Sequence, residues 1–133
     1  MNLGHEDSLS QDVKIWLNRL NEIGAIDTVH FHVPNEFVAK GNAFAAWNKK
    51  EAIGCLSGAP DWVIVASDVT LLIELKAAKT LKSAIGKMRK AQSDFAKECD
   101  KKQIYYKIVY DKESFQAALT DSGILKNQPL AQA

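Results

Sequence analysis

Apolar side chains at Leu9, Val13, Trp16, Leu17 and Leu20 recur at spacings of three and four, which predicts a first helix with Gly24 as its stop. Residues 28–33 (TVHFHV) alternate and are β-branched or aromatic, a strand that ends at Pro34-Asn35. The segment 43–54 (AFAAWNKKEAIG) sets Phe44, Trp47 and Ile53 among good helix formers and closes at Gly54, which predicts a second helix. SGAPDW then makes a turn around Gly58 and Pro60. Residues 62–66 and 70–76, separated by little more than the polar Ser67-Asp68, read as the arms of a β-hairpin.

Between Leu81 and Cys99 the apolar positions Leu81, Ala84, Ile85, Met88, Ala91, Phe95 and Cys99 follow a period near 3.6. This predicts one amphipathic helix with most of its lysines outward. Residues 104–110 (IYYKIVY) form a strand, 113–119 a short helix, and the remainder a polar tail. The expected order is α-β-α-β-β-α-β-α in one α/β domain spanning residues 1–133.

Length and composition agree with one ordinary globular domain: 133 residues, 47% hydrophobic and 25% charged, with a net charge of +1. Such a chain can bury its own core, which excludes a multidomain enzyme. No run approaches the ~18 apolar residues of a membrane span, and MNLGHEDSLSQD has no signal-peptide character. The expectation is a cytoplasmic protein without a membrane partner. Cys55 and Cys99 belong to no Cys-x-x-Cys pair and read as packing residues.

Charge is unevenly placed. Residues 76–102 hold nine Lys or Arg, among them Lys79, Lys82, Lys87, Arg89 and Lys90, against three acidic residues. Such a stretch is either a solvated helix face or a surface for a polyanion.

The chemistry concentrates on the second hairpin arm. Glu74 and Lys76 lie two apart in a strand and so share a face. Asp61, following Pro60 at the start of the other arm, is brought near them by the hairpin. Two carboxylates and a lysine suit phosphodiester hydrolysis: hard oxygen ligands hold Mg²⁺, and the lysine orients water or neutralises phosphate charge. Glu6 falls on the apolar stripe of helix 1 if that helix begins early, facing inward, or else is frayed. Gln92 falls beside Ile85, Met88 and Phe95 and is either a boundary residue or an inward one in need of a partner. His30 and His32 share a strand face but have no third ligand at metal-binding spacing.

FHVPNEF at 31–37, SGAPDWVIV at 57–65, LLIELKAAKTLKS at 71–83 and AQSDF at 91–95, with EDSLSQDVKIWL in helix 1, together resemble the VRR-NUC group of the PD-(D/E)xK nuclease superfamily over roughly residues 6–115. The resemblance implies a restriction-endonuclease-like core, a central mixed sheet flanked by helices. It implies Asp61, Glu74 and the Leu75 backbone carbonyl as ligands of Mg²⁺, with Mn²⁺ as the alternative metal. Lys76 would be the catalytic lysine, Glu6 the first-helix acid, with Glu36 as its substitute, and Gln92 the accessory glutamine. Lys79, Lys82, Lys87, Arg89 and Lys90 would meet DNA. Stand-alone members resemble phage and bacterial Holliday-junction resolvases, which implies a homodimer cutting four-way DNA. The alternatives are a nuclease for flap, splayed or linear DNA, a silent nucleic-acid-binding module of the same fold, and an interaction domain whose basic helix engages an acidic protein. Relative to compact members of the group, residues 84–90 are inserted ahead of Gln92.

Overall fold

The structure is a computed structural model that describes residues 4–34, 48, 49, 52, 54 and 56–126. Helix α1 spans His5–Glu22 and buries Leu9, Val13, Leu17 and Leu20, the stripe that the spacing predicts. It stops at Gly24, whose φ of 76° is costly for any residue with a Cβ. Asn21 ties this end to the first strand. Its side-chain amide donates to Leu17 O and Thr28 Oγ1, and its oxygen accepts from Thr28 N.

Four strands follow in one sheet, ordered as in the chain: β1 (Val29–His32), β2 (Trp62–Val65), β3 (Thr70–Leu75) and β4 (Tyr105–Val109). β1, β2 and β3 pair antiparallel, and the hairpin turn closes with Ala66 N donating to Val69 O at 2.9 Å. β4 is parallel to β3, a pairing that needs a long crossover. The sheet is therefore mixed. One face carries Trp62, Ile64, Leu71, Ile73, Leu75 and Val109, which pack with α1 and with α4 (Lys112–Asp121) in a single core. Trp62 is anchored at its rim, donating from Nε1 to Ser10 Oγ at 3.0 Å. α4 begins one residue earlier than its sequence pattern suggests, because Asp111 accepts from Ser114 N at 2.7 Å and caps it.

The opposite face, bearing Glu74, Lys76 and Tyr106, is where the sequence reading needs correction. The single helix expected over 81–99 is two: α2 (Leu81–Gly86), capped by Thr80, and α3 (Lys90–Lys101). Leu81 and Ile85 are consequently exposed rather than part of a continuous apolar stripe. Two local forces favour the break. Gly86 is a poor helix former, and Gln92, at the third position of α3, reaches back to accept from Arg89 N at 3.0 Å and so starts a new helix. Lys76, expected inside β3, lies one residue beyond it, although Lys76 N still donates to Val109 O. Of the helix expected over 43–54, only residues 48, 49, 52 and 54 are described, the first three helical. Glu36 and Cys55 lie outside the described residues. Among the described residues no helix is long and apolar enough to cross a membrane.

Two glycines should respond to alanine in opposite directions. Gly58 has φ +85°, and a Cβ there would lie 2.3 Å from the backbone oxygen of Ala91 in α3. Gly86 has nothing within 4 Å of an added Cβ. Gly58→Ala is expected to lower the unfolding free energy by about 1–3 kcal/mol. Gly86→Ala should raise it by up to about 1 kcal/mol. Urea denaturation of both variants checks the pair, and equal responses would contradict this packing of the turn on α3.

Candidate active site

The hairpin register places the two acids. Trp62 pairs with Ile73, and Asp61 N donates to Ile73 O at 2.8 Å, so Asp61 enters the hairpin beside the residue that precedes Glu74. The two acids are close enough for the Asp61 charge to raise the Glu74 carboxyl. The Asp61 carboxylate is fixed by a second bond, accepting from Leu75 N at 2.7 Å. Pro60 and Gly58 deliver the chain into this position, the glycine through its contact with α3.

Gln92 joins the remaining groups. Its Nε2 donates to Glu74 Oε1 at 2.6 Å, and its Oε1 accepts from Lys76 Nζ at 2.9 Å. With the bond from Arg89 N, this carboxamide binds the acid, the lysine and the first turn of α3. Lys76 Nζ lies 3.6 Å from Glu74 Oε1, and all three side chains are buried. Burial, with the Asp61 charge adding and Lys76 opposing, pushes the Glu74 carboxyl up from 4.5 to about 8. Its second oxygen, Oε2, is buried and without a hydrogen-bond partner.

Beside this cluster, a cleft of about 180 Å³ at the same end of the sheet is lined by Glu6, Asp7, Ser10, His32, Pro34, Asp61 and Leu75. Asp61 thus belongs to both the cleft and the buried cluster. Glu6 is exposed on the cleft wall rather than turned into the core as its stripe position suggests. Lys79, Lys82, Lys87, Arg89 and Lys90 are all exposed. Two of these are engaged locally: Lys87 donates to Ala77 O, and Lys90 pairs with Asp94 at 2.7 Å. His30 Nε2 is hydrogen-bonded to Asn18 Oδ1 at 3.1 Å, and both strand histidines stand beside the Trp62 ring. A larger depression of about 460 Å³, along residues 24–27, 66–68 and 123–126 at the opposite end, contains none of the residues singled out by sequence.

Two residues near the site escaped the sequence reading of the site. His32 lines the cleft, and its alternation with His30 marks a shared face without saying which end of the sheet is functional. Tyr106 stands opposite Leu72 on the Glu74 face, a neighbour created by the parallel β3–β4 register that no local pattern encodes.

The donor set fits a hard divalent cation. Among the described residues no group of three or more His, Cys, Asp or Glu side chains is placed to hold a metal ion; the ligands implied by the resemblance are Asp61, Glu74 and the backbone carbonyl of Leu75. Two carboxylates with water and substrate phosphate completing the shell is the pattern Mg²⁺ takes. A buried acid held neutral near pH 7 by desolvation and the neighbouring Asp61 charge, against the pull of Lys76, is compatible with the same need. No protein-family model matches the chain, and no curated protein or solved structure matches it.

The raised Glu74 group makes metal-free stability depend on pH. Below about 4.5 the carboxyl is protonated in both folded and unfolded chains. As pH rises toward about 8 the unfolded chain ionises first, so stability falls by up to about 1.4 kcal/mol per pH unit. Urea unfolding in EDTA between pH 5 and 8 should show this decline, flattened in Glu74→Gln. Equal slopes in the two proteins would contradict the buried neutral acid.

Proposed function

We propose that the protein is a Mg²⁺-dependent, structure-selective DNA endonuclease with a PD-(D/E)xK core of the VRR-NUC kind, acting as a homodimer on four-way junctions. The observation that carries this reading is the convergence of Asp61, Glu74, Lys76 and Gln92 from two antiparallel strands and the start of a helix. The mixed sheet flanked by helices is compatible with such a core.

In this reading Asp61 and Glu74 hold the cation, which supplies Lewis-acid polarisation of the scissile phosphate and a more acidic water. Lys76 contributes fixed positive charge next to the reacting group, where pentacovalent phosphate gathers negative charge. Gln92 aims both partners: its amide holds one Glu74 oxygen and its carbonyl holds the lysine. Asp61, fixed by Leu75 N, does not need to reorganise. The open side of Asp61 faces the cleft, which gives the phosphodiester a route to it. Lys79, Lys82 and Arg89 lie along the α2–α3 side of the sheet, where exposed positive charge would position DNA phosphates without reading sequence. A homodimer follows from the substrate, since paired cuts in a junction need two related sites.

End-labelled four-way junction, its linear duplex and a splayed arm, each with Mg²⁺ or EDTA, test the reading. The expected result is paired symmetric nicks in the junction that EDTA abolishes. Asp61→Asn and Lys76→Ala should each reduce cutting by about 10²-fold or more while DNA binding persists. Metal-dependent cutting of all three substrates would keep the nuclease and remove junction selectivity. DNA binding without cutting under any metal would favour the silent module instead.

A further inference from the structure

The short helix α2 leaves apolar surface open where the helical period of the sequence predicts burial. Leu81 and Ile85 are 51% and 53% exposed. They stand one turn apart and so share a side of the helix, while Ala84 is fully buried and seats α2 on the body of the protein. Single exposed apolar residues are ordinary, but a pair on one helix face inside a charged rim marks a surface that meets a partner. That rim has one sign. Between Glu74 and Asp94 the chain has six Lys or Arg and no Asp or Glu. Lys79, Lys82 and Arg89 are exposed and form no ion pair among the described residues. Lys87 Nζ donates to Ala77 O, which ties the end of α2 to the chain leaving Lys76. Leu81 follows that lysine by five residues.

We infer that α2 is a wedge for DNA at an interrupted base stack: Leu81 and Ile85 bear on base faces laid open at a branch point, while Lys79, Lys82 and Arg89 hold the flanking phosphates. The occupant of this surface must carry dense negative charge beside apolar area. Continuous duplex offers phosphate but hides its base faces in the stack. A branch point offers both, because stacking is broken there, and apolar side chains inserted at such a step are a recurrent device of DNA-bending proteins. The basic residues contribute affinity without sequence preference, and the apolar pair contributes preference for shape. A branch seated on α2 lies next to the candidate active site, since Lys87 fastens the helix to the chain beside Lys76. This inference rests on the nuclease reading for its DNA and deepens it by naming the element that selects branched over linear substrate.

Fluorescence anisotropy of a labelled four-way junction and of its linear duplex, in EDTA so that neither is cut, tests the wedge on the full chain. A second junction carries 2-aminopurine beside the crossover, where unstacking raises its fluorescence. Leu81→Ala/Ile85→Ala is expected to weaken junction binding by about 10-fold or more, to leave duplex binding unchanged and to abolish the 2-aminopurine rise. Leu81→Met/Ile85→Met keeps the apolar bulk and should behave as wild type, as should Ile23→Ala, which truncates an exposed apolar side chain elsewhere. Lys82→Gln/Arg89→Gln should weaken junction and duplex alike and flatten the slope of log affinity against log salt by about two. Equal junction affinity in the alanine pair and wild type, or equal losses on junction and duplex, would overturn the wedge. Loss of binding to phosphatidylserine vesicles in the alanine pair, with junction binding intact, would overturn it in favour of a membrane surface. A wild-type protein that binds neither DNA at low salt would overturn both this inference and the nuclease reading. The expected binding pattern without Mg²⁺-dependent cutting would keep the wedge and overturn the nuclease alone.

Discussion

The Gln92 carboxamide is the contact on which the site depends. Glu74 and Lys76 are placed by strand alternation on a face that α3 covers, and a buried carboxyl and amine with no further partner would destabilise the fold. Gln92 answers both, donating to one and accepting from the other, and also accepts from Arg89 N at the helix start. The same atom therefore nucleates α3 and orients the lysine. The break between α2 and α3 follows from this, because a glutamine can reach back to its helix start only from the first turn. Gly58 completes the arrangement from the other side, bringing the turn before Asp61 against the backbone at Ala91 and Gln92.

The cluster is held but electrostatically unfinished. The Asp61 charge bears on Glu74, and Lys76 provides one positive charge for two acids. Burial and the Asp61 charge, against the pull of Lys76, push the Glu74 carboxyl up to about 8, so it is neutral near pH 7. A group strained in this way at a cleft is a common property of sites built to receive charge. The cation proposed above would relieve this strain beside the cleft that Asp61 lines.

Much of this was legible in the sequence, for local reasons. Alternation put Glu74 and Lys76 on one face, the hairpin brought Asp61 to them, and the stripe of α1 identified Leu9, Val13, Leu17 and Leu20 as core. The α2–α3 break was not legible, because Leu81, Ile85 and Met88 continue the helical period through it, and the capping role of Gln92 competes with that period only once Glu74 and Lys76 are in place. Glu6 was legible only as inward or frayed, and it is instead helical and exposed on the cleft wall. Tyr106 depended on the parallel register of β4, set by a crossover of some thirty residues and by no pattern within IYYKIVY.

The central claim is that Asp61 and Glu74 together hold one divalent cation. Anomalous diffraction from crystals soaked in Mn²⁺ tests it most directly. The account predicts a single strong peak within about 2.0–2.3 Å of an oxygen from each carboxylate, with Gln92 still bonded to Glu74. Crystals that show no Mn²⁺ between these carboxylates, or show it bound elsewhere while Glu74 keeps its metal-free contacts, would contradict it.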